Sequence, residues 1–397
     1  MINEHIKTIL PGATIGVLGG GQLGRMLTQA GSALGYKFIT LDPTELGPMG
    51  QISKQIVATY DDKEAAKLLA EQADVITYEF ENVDANVAGM LMEQSYVPQG
   101  SELLYTTQHR LREKRAIEAA GVPVAPYREI TSLASLQQAV QELGIPCVLK
   151  TATGGYDGKG QWVIKGEHEL QEAYETLSKA KTELVLEQFI RFDKEISVIA
   201  ARSPQGEVKV FPPAENIHVS NILHLSIVPA RIEDALAQQA EQLALRIAEG
   251  LQVVGLIAVE MFVTADGFIY VNELAPRPHN SGHYTMEACM TSQFEQHVRA
   301  VCNLPLGDTK LRQPVVMVNV LGQHVAPVLE RMQQPDELAA KLTVMPKVHL
   351  YGKADAVFNR KMGHINVLAE KVEDALQWIE QTQIWSDEWE SWNKNSK

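Results

Sequence analysis

The sequence has few cysteines, no long apolar run and no excess of basic residues, and each absence narrows the class of protein. Its three cysteines, Cys147, Cys289 and Cys302, are scattered through apolar patterns without metal-site spacing, so we expect buried, reduced thiols. No apolar run approaches the roughly 18 residues that a transmembrane helix needs, and the first residues lack a secretory signal. We therefore expect a cytoplasmic protein without membrane contact.

The charge balance argues against a nucleic-acid partner. The chain has 35 Lys and Arg against 49 Asp and Glu, for a net charge of -14. The basic residues are not gathered into a stripe, which nucleic-acid binding would require. Any anionic small molecule must therefore be held locally, by glycine-rich loops, helix N-termini and single Lys or Arg residues.

At 397 residues the chain exceeds the roughly 250 to 300 at which one hydrophobic core stops growing. It contains no internal repeat and no low-complexity linker. We expect about three docked domains, with ligands in the clefts between them. The pattern changes place these domains at residues 1–106, 107–304 and 305–397.

The first region alternates strand and helix patterns, which predicts a doubly wound parallel sheet. Gly19, Gly21 and Gly24 fit G-x-G-x-x-G between the first strand and its helix, and Asp42 closes the second strand. Taken alone, this pattern predicts a dinucleotide site. The predicted strands are Thr14–Gly19, Lys37–Asp42 and Asp74–Phe80, and the helices cover residues 23–34 and 63–73.

The second region begins with a charged helix from Thr107 and continues irregularly, which favours an α+β domain of two lobes. A long helix is predicted over Ala235–Glu249. The third region is smaller and β-rich, with strands near Val315–Leu321 and Lys347–Tyr351. It closes with a helix and a polar tail that carries Trp385, Trp389 and Trp392.

A second glycine-rich segment, KTATGGYDGKGQ, runs from Lys150 to Gln161 between two β-type runs. Its glycines allow backbone amides to approach a ligand closely, and Lys150 and Lys159 add charges suited to phosphates. The alternative is an ordinary glycine-rich hairpin with exposed lysines. It is not a P-loop, because G-x-x-x-x-G-K-[ST] is absent.

The stretch AVEMFVTADGFIYVNELAPRPHNSGH predicts a β-hairpin around a two-residue turn, Asp266-Gly267. Glu260 lies six residues before this turn and Glu273 six after it, so the two would face each other. Opposed carboxylates repel, whereas a divalent cation would stabilise them. The alternative is that the two acids oppose each other by chance on a surface hairpin. A three-residue turn would shift the register and break the pairing.

Arg277-Pro278-His279-Asn280 follows this hairpin directly. Prolines on both sides of Arg277 favour an extended path, so these side chains would project past the strand end. Arg277 could hold a carboxylate or phosphate bidentately, with His279 and Asn280 as further donors to a small oxyanion. The alternative is a turn held by Asn and Arg hydrogen bonds.

Together the motifs resemble those of a known enzyme group. GGYDGKGQ, LEQFI…KE (Leu186 to Glu195) and VNELAPRPHNSGH look like those of the ATP-grasp superfamily. With GGGQLGRM, YEFEN (Tyr78 to Asn82) and YGK…RKMGH (Tyr351 to His364), the chain resembles the 5-(carboxyamino)imidazole ribonucleotide synthase family of de novo purine synthesis. The resemblance runs from about Thr14 to about residue 385.

The resemblance implies an ADP-forming ligase that carboxylates 5-aminoimidazole ribonucleotide with ATP and bicarbonate. Bicarbonate would attack the γ-phosphate, and the resulting carboxyphosphate would deliver its carboxyl group to the substrate amine. The implied fold is a pre-ATP-grasp domain, a two-lobed ATP-grasp domain and a small β-rich C-terminal domain. The cofactors implied are ATP and two Mg²⁺ ions, and a homodimer, common in the family, is expected.

The resemblance also implies roles for individual residues. Arg277, His279 and Asn280 would hold bicarbonate and carboxyphosphate, and Asp157 or Glu79 could orient the amine or take its proton. The metal ligands would be Glu260 and Glu273, with Asn272. The expected ATP contacts are Arg110, Lys150, Gly155, Tyr156, Asp157, Gly158, Lys159, Gly160, Gln161, Glu187, Gln188, Phe189, Ile190, Glu195, His218, Asn272 and Glu273. The expected ribonucleotide contacts are Gln22, Leu23, Glu79, Tyr156, Asp157, Lys353 and Arg360.

With this resemblance the first glycine loop is interpreted as part of the ribonucleotide site, near the substrate phosphate, and Asp42 as an ordinary strand-end acid. The sequence departs from the family's C-terminal motif in the stretch of Val357 and Asn359, where a further basic residue and a glycine are expected. Three alternatives stay open: a hydride-transferring dehydrogenase, another ATP-grasp ligase such as formate-dependent glycinamide ribonucleotide transformylase, and a protein that binds ATP without turnover.

Overall fold

The structure, a computed structural model, describes residues 6–81, 83–155 and 159–394. Within these ranges, no helix combines the length and apolarity that crossing a membrane requires. Tyr156, Asp157 and Gly158 of the second glycine segment lie outside the described residues, as does Asn82 of the YEFEN motif.

The N-terminal region forms the predicted doubly wound parallel sheet. Its strands pair in parallel, and helices cover both faces because the strands are buried on both sides. The strands are β1 (Thr14–Leu18), β2 (Lys37–Leu41), β3 (Lys54–Ile56) and β4 (Val75–Tyr78). The helices are α1 (Gln22–Ala33), α2 (Lys63–Gln72) and α3 (Ala85–Gln94). The strand order is β3-β2-β1-β4.

The single helix predicted from Thr107 is divided in two. Helix α4 (Glu102–Thr107) ends where the predicted helix would start, and α5 (Arg110–Ala119) begins three residues later. His109 between them has extended backbone angles. The Arg110 N–H, free at the start of α5, donates to the Ala152 carbonyl at 2.9 Å. The break therefore fixes the start of α5 against the second glycine segment.

The first lobe of the central region is a four-stranded antiparallel sheet in the order β5-β8-β6-β7. Its two helices pack on one face and form a separate small core. The elements are β5 (Tyr127–Ile130), α6 (Leu133–Leu143), β6 (Cys147–Thr151), β7 (Gln161–Ile164), α7 (Leu170–Leu177) and β8 (Leu184–Gln188). The second glycine segment is the connection between β6 and β7.

The second lobe contributes six strands to a larger antiparallel sheet, with the long predicted helix packed on it. Two of these strands, β11 and β12, were not predicted. The elements are β9 (Lys194–Arg202), β10 (Val208–Val210), β11 (Ala214–Val219), β12 (Ile222–Val228), α8 (Asp234–Gly250), β13 (Gly255–Val263), β14 (Ile269–Ala275), α9 (Thr285–Ala288) and α10 (Gln293–Val301).

The C-terminal region adds three strands to this same sheet. Strand β15 pairs with β12, so the order runs β14-β13-β9-β11-β12-β15-β17-β16, with β10 beside β9. The sheet is thus continuous across the predicted boundary at residue 305. The elements are β15 (Val315–Leu321), α11 (Val325–Arg331), α12 (Glu337–Leu342), β16 (Met345–Leu350), β17 (Lys361–Leu368), α13 (Val372–Thr382) and α14 (Ser386–Lys394).

The expectation of a polar tail was wrong. Trp385 and Trp392 are buried in the core that α13 and α14 form with the sheet. The indole N–H of Trp385 donates to the Asn319 carbonyl at 3.0 Å, and Glu388 pairs with His324 at 3.0 Å. The tail is polar in composition, but Trp392 on α14 and Trp385 just before it pack into the core.

Candidate active site

The β13–β14 hairpin turns through three residues rather than the predicted two. The Thr264 N–H donates to the Phe268 carbonyl at 2.9 Å, which encloses residues 265–267. Gly267, at φ +81°, takes the left-handed position that closes such a turn. As a result, Val263 pairs with Ile269 near the turn, one residue out of the predicted register.

A β-bulge then restores the predicted pairing of the two carboxylates. Met261 pairs with Val271 but Glu260 pairs with Glu273, so Asn272 is the additional residue on β14. Bulges re-aim side chains and are common beside active sites. The prediction that Glu260 and Glu273 face each other is confirmed, although turn and bulge produce it together.

The two opposed carboxylates have different surroundings. Glu260 Oε1 lies 3.1 Å from His279 Nε2, and this contact holds the pKa of Glu260 below its usual value although burial would raise it. Burial and the neighbouring Glu260 raise the pKa of Glu273. Its carboxylate lies 3.6 Å from Arg110 and its side chain is 44% exposed to the cleft. Glu273 is therefore the less satisfied of the pair.

Helix α5 brings a further acid to the cleft that sequence reasoning missed. Burial, followed by the charge of Glu273, raises the pKa of Glu113 to about 8. Its Oε1 accepts the Leu274 N–H at 2.8 Å, which ties α5 to β14. Glu113 lies three residues after Arg110, a helical spacing that could have indicated a shared face.

A buried triad lies at the end of the first lobe, where Glu187 is flanked by two lysines. Lys150 Nζ donates to one carboxylate oxygen at 2.9 Å, and Lys114 Nζ lies 3.2 Å from the other. Although burial acts in the opposite direction, these cations lower the pKa of Glu187 to about 2. Lys114 was missed, although its i+4 spacing from Arg110 places both on one helix face.

The segment from Glu187 to Ile190, whose residues are among the expected ATP contacts, already uses part of its hydrogen-bonding capacity within the protein. The Glu187 carboxylate is engaged by the lysines, and the Gln188 N–H donates to the Pro126 carbonyl at 2.8 Å. The Phe189 side chain is 38% exposed.

Glu195 on β9 and His218 on β11 pair across the sheet. Their Oε2 and Nδ1 atoms are 3.0 Å apart. Although burial acts to lower it, Glu195 raises the pKa of His218 above its ordinary value, with a smaller contribution from Glu260. The pairing of β11 with β12 shifts register between Ile217 and His218.

The segment after β14 contains an ion pair between Arg277 and Glu81 and a buried amide, that of Asn280. The Arg277 guanidinium bonds to Glu81, and although burial opposes it, this keeps the pKa of Glu81 below its usual value. His279 has its backbone N–H and carbonyl bonded to the Gln293 amide at 2.9 and 2.8 Å. Among the described residues, neither buried amide atom of Asn280 has a hydrogen-bond partner. An oxyanion or its water could supply that partner.

The first glycine loop is filled by the chain's own acids. The N–H groups of Gly21 and Gly24 donate to Glu79, and the Gly20 N–H donates to Asp42 at 2.7 Å. Asp42 is buried and also accepts the Tyr60 hydroxyl at 2.6 Å, so describing it as an ordinary acid was wrong. These three amides are directed at side chains of the protein, and the interpretation that they face a substrate phosphate is corrected.

The other predicted ribonucleotide contacts lie at the edge of this loop and in the β16–β17 connection. Gln22 is half-buried and Leu23 is buried at the start of α1. Burial, with Arg360 and Lys361 nearby, lowers the pKa of Lys353 to about 8. The exposed Arg360 guanidinium donates to the Asp355 carbonyl at 3.3 Å.

The departure noted at position 359 has a local explanation. Asn359 lies at φ +62°, in the left-handed region where the resemblance leads us to expect glycine. Asparagine tolerates this conformation better than most residues, so the turn is preserved.

A cavity of about 340 Å³ lies between the N-terminal region and the two lobes of the central region. Its walls come from the N-terminal sheet, α5, the second glycine segment and the end of β14. The charged and glycine residues that line it are Glu81, Arg110, Glu113, Gly155, Glu273 and Arg277. Gly155 lies where an added Cβ would be 2.9 Å from the Lys159 carbonyl, so glycine permits this close approach.

Comparisons with known proteins cover all three regions of the chain. The family model for the ribonucleotide synthetase preATP-grasp domain matches residues 12–108, and that for the ATP-grasp domain matches residues 115–294. The model for the phosphoribosylaminoimidazole carboxylase C-terminal domain matches residues 315–378. The N5-carboxyaminoimidazole ribonucleotide synthase of Bacillus subtilis is 50% identical over 374 residues, 94% of this chain and 96% of that protein.

Solved structures give the same family. An ADP complex of an N5-carboxyaminoimidazole ribonucleotide synthetase superposes with a TM-score of 0.90 at 54% identity, covering 96% of this chain and 99% of the other. The synthase of Aspergillus clavatus, in complex with ADP and 5-aminoimidazole ribonucleotide, superposes with a TM-score of 0.85 at 32% identity, covering 94% and 99%. These relatives support neither the formate-dependent transformylase nor the dehydrogenase.

Proposed function

This chain belongs to the N5-carboxyaminoimidazole ribonucleotide synthase family of ATP-grasp ligases, and we propose how its own residues carry out the reaction of that family. The enzyme carboxylates the amine of 5-aminoimidazole ribonucleotide and converts ATP to ADP and phosphate. The observation that carries the residue assignments is the convergence of the Glu260/Glu273 pair with the Arg277–Asn280 segment beside one cleft.

ATP lies between the two lobes of the central region in this proposal. Arg110, Lys150 and the backbone of the second glycine segment, Gly155 to Gln161, attend its phosphates. The backbone of Glu187 to Ile190 holds the adenine edge, since the Glu187 side chain is engaged by lysines. Glu195 takes the ribose hydroxyls, with His218 beside it. Tyr156, Asp157 and Gly158 keep their predicted nucleotide contacts.

Glu260 and Glu273 fit a Mg²⁺ site, with Asn272 as a further oxygen donor. Mg²⁺ prefers carboxylate oxygens and keeps sites for water and substrate phosphates, which suits a site with only two protein carboxylates. The raised pKa of Glu273 reflects repulsion that a cation would relieve. When bound, two Mg²⁺ ions would neutralise charge that develops on the transferred phosphoryl group.

Bicarbonate binds at the end of β14. Arg277 neutralises its charge, and His279 and the unpaired amide of Asn280 supply hydrogen bonds. A bicarbonate oxygen attacks the γ-phosphorus, the bond to the ADP oxygen breaks, and carboxyphosphate forms. The substrate amine then attacks the carboxyl carbon, phosphate leaves, and the nitrogen loses a proton to a carboxylate. The cleft excludes water from the short-lived intermediate.

The ribonucleotide enters from the N-terminal side. Lys353 and Arg360 hold its phosphate, because the glycine-loop amides are occupied by Asp42 and Glu79. Gln22, Leu23 and Tyr156 contact the rest of the substrate. Glu79, fixed by the loop, orients the amine, and Asp157 takes its proton.

The direct test is to mix the purified protein with MgATP, bicarbonate and 5-aminoimidazole ribonucleotide and to follow ADP. We expect ADP formation to rise at least several-fold on adding the ribonucleotide and to depend on bicarbonate. ADP formation that the ribonucleotide does not stimulate would refute the assignment.

We also propose that the enzyme is a cytoplasmic homodimer. Among the described residues of the N-terminal region, five Leu, Ile or Val side chains are at least 40% exposed, a pattern that suits a protein interface. Burial of all three free cysteines suits a reducing compartment. Light scattering on a sizing column tests the mass, and a monomer at micromolar concentration would contradict the dimer. The exposed apolar residues are Leu10, Leu46, Ile52, Val57 and Leu68.

A further inference from the structure

A row of four buried polar side chains leads through the large sheet to His279. Ser226 Oγ donates to Asn216 Oδ1 at 2.8 Å, and Asn216 Nδ2 donates to Ser197 Oγ at 2.9 Å. Ser197 Oγ lies 2.7 Å from Ser281 Oγ, which lies 2.8 Å from His279 Nδ1. All four side chains are at most 5% exposed.

The row crosses three adjacent strands, since Ser226 lies on β12, Asn216 on β11 and Ser197 on β9. Its last member, Ser281, belongs to the segment after β14. Each of these positions is as buried as the surrounding core, and an apolar side chain there would avoid the cost of burying a hydroxyl or amide. Buried polar networks are stabilising only when every member is satisfied, and this one ends on a catalytic-site histidine.

The donors along the row all point the same way. With the Ser226 hydroxyl on Asn216 Oδ1, the Asn216 amide N–H faces Ser197, whose own proton is then directed to Ser281. The Ser281 hydroxyl is left to donate to His279 Nδ1. The Ser281 backbone N–H also faces this nitrogen, at 3.4 Å. Nδ1 therefore meets two donors and must present its lone pair.

The other ring nitrogen faces an acceptor. His279 Nε2 lies 3.1 Å from Glu260 Oε1, and a carboxylate oxygen there requires an N–H on the imidazole. The backbone from which the ring projects is fixed, because the fully buried Gln293 amide bonds to both the His279 N–H and the His279 carbonyl. Both sides of the ring thus demand the same neutral tautomer.

We propose that Ser281, Ser197 and Asn216 are positioning residues that hold His279 as the Nε2–H tautomer. This N–H is then directed at the carboxylate of Glu260, a proposed metal ligand, and at the adjoining bicarbonate position. In this state the lone pair is on Nδ1, where Ser281 occupies it, and Nε2 has none to offer a metal ion beside Glu260. The ring therefore leaves coordination to carboxylates and acts as a hydrogen-bond donor to the anion. The tautomer follows from the network alone. Its effect on bicarbonate binding rests on the proposed function.

Nitrogen NMR of the intact protein labelled with ¹⁵N-histidine tests the tautomer without any substrate. The His279 signals are identified by their loss in His279→Gln. We expect a protonated Nε2 and an unprotonated Nδ1 near neutral pH. A protonated Nδ1 would mean that the row runs in the opposite direction and would overturn the proposal, whatever reaction the enzyme catalyses.

Kinetics test the consequence with Ser281→Ala and Ser197→Ala. Because partners that orient a histidine typically contribute 10- to 100-fold, we expect the KM for bicarbonate to rise about 10-fold in Ser281→Ala and less in Ser197→Ala. The KM for MgATP should change less than about 2-fold on the same argument. Ser197→Thr keeps the hydroxyl on a strand and should restore the bicarbonate KM.

The matched control is Ser203→Ala, a similarly buried serine just beyond the other end of β9, whose hydroxyl accepts only the Glu207 N–H. It should leave both KM values unchanged. Equal increases in both KM values in Ser281→Ala and Ser203→Ala would indicate a general structural role and refute the proposal. If no ribonucleotide-stimulated turnover exists at all, the proposed function fails, while the NMR result still decides the tautomer.

Discussion

Two pairs of acids, Asp42 with Glu79 and Glu260 with Glu273, lie at two of the three sheets of this enzyme and have opposite surroundings. The first pair lies at strand ends in the N-terminal sheet and is saturated by the N–H groups of the first glycine loop. The second pair faces across two antiparallel strands and meets His279 on one side and the open cleft on the other.

The two pairs differ in how far neighbouring donors and cations stabilise their negative charge. Glu79 is only 5% exposed and its carboxylate is bound by backbone donors, so a glycine loop that resembles an anion site already contains its anion. The Glu273 side chain is 44% exposed, Arg110 lies 3.6 Å from its carboxylate, and the neighbouring Glu260 repels it. An acid that the protein leaves uncompensated beside a cleft indicates a ligand better than a glycine motif does.

The largest effect should come from the uncompensated pair. Glu273→Gln removes one of the two proposed metal carboxylates, and we expect kcat to fall by about 10²- to 10³-fold, the usual loss for one electrostatic contact in the transition state. The free enzyme should be as stable as wild type or more so, since the repulsion with Glu260 disappears. ADP formation and the midpoint of thermal unfolding measure the two effects.

Glu241→Gln, on α8 and away from the cleft, is the matched control for this exchange of carboxylate for amide. It should retain wild-type turnover. Undiminished turnover in Glu273→Gln would show that Glu260 and Glu273 have no role in the reaction, and the contrast with Asp42 and Glu79 would lose its basis.

A substitution in the first pair should instead lower stability and leave turnover unchanged. In Asp42→Asn either orientation of the new amide turns its NH₂ toward a donor, because Oδ2 accepts Gly20 N–H and Tyr60 O–H while Oδ1 accepts Thr44 N–H. The buried conflict should lower the free energy of unfolding by about 3 kcal/mol. Denaturant unfolding measures it, and the KM for MgATP should stay unchanged.

Asp74→Asn is the control, since Asp74 also accepts a backbone N–H, that of Thr14 at 2.7 Å, but on the surface. Its loss should stay below about 1 kcal/mol. If Asp42→Asn loses turnover while keeping its stability, Asp42 acts on a ligand rather than on the glycine loop, and the contrast between the pairs collapses.

The sequence alone predicted the second pair better than the first because strand pairing follows simple spacing. Glu260 and Glu273 were expected to oppose each other, and they do. The route was not predictable: a three-residue turn shifts the register, and the bulge at Asn272 shifts it back. Two compensating irregularities leave no trace in alternation of apolar and polar residues.

Contacts between distant segments were largely invisible in the sequence. Nothing local indicates that Glu79 fills the glycine loop, that Lys114 shares Glu187 with Lys150, or that Trp385 is buried. Such partners are selected by the packing of separate elements. The roles expected for Arg277, His279 and Asn280 came from the resemblance, and individual site assignments stay predictions.

A third prediction concerns pH and Glu79. Burial raises the pKa of Glu79 to about 7, although the Gly21 and Gly24 N–H groups act to lower it. The folded state thus binds this proton more tightly than the unfolded state, and the stabilisation is complete below the unfolded pKa. It is lost as pH rises through the folded value, so the loss falls between about pH 4.5 and 7.

Comparison of wild type with Glu79→Gln isolates this contribution. Relative to the variant, wild type should lose about 2 kcal/mol of unfolding free energy between pH 5 and 8. Denaturant titrations at the two pH values measure the difference. A constant difference between the proteins would mean that the loop amides keep Glu79 ionised throughout, and that the saturated pair is even better compensated than its pKa indicates.

The smallest predicted effect separates the two pairs without any substrate. Mg²⁺ added alone should raise the midpoint of thermal unfolding of wild type, because a cation that binds only the folded state adds about 1 kcal/mol at a concentration several times its Kd. Asp42→Asn should keep this increase although it starts from a lower midpoint, whereas Glu273→Gln should lose it. NaCl at equal ionic strength is the control for screening. An equal increase in all three proteins would place the cation elsewhere, since only Glu273 belongs to the pair whose repulsion Mg²⁺ relieves.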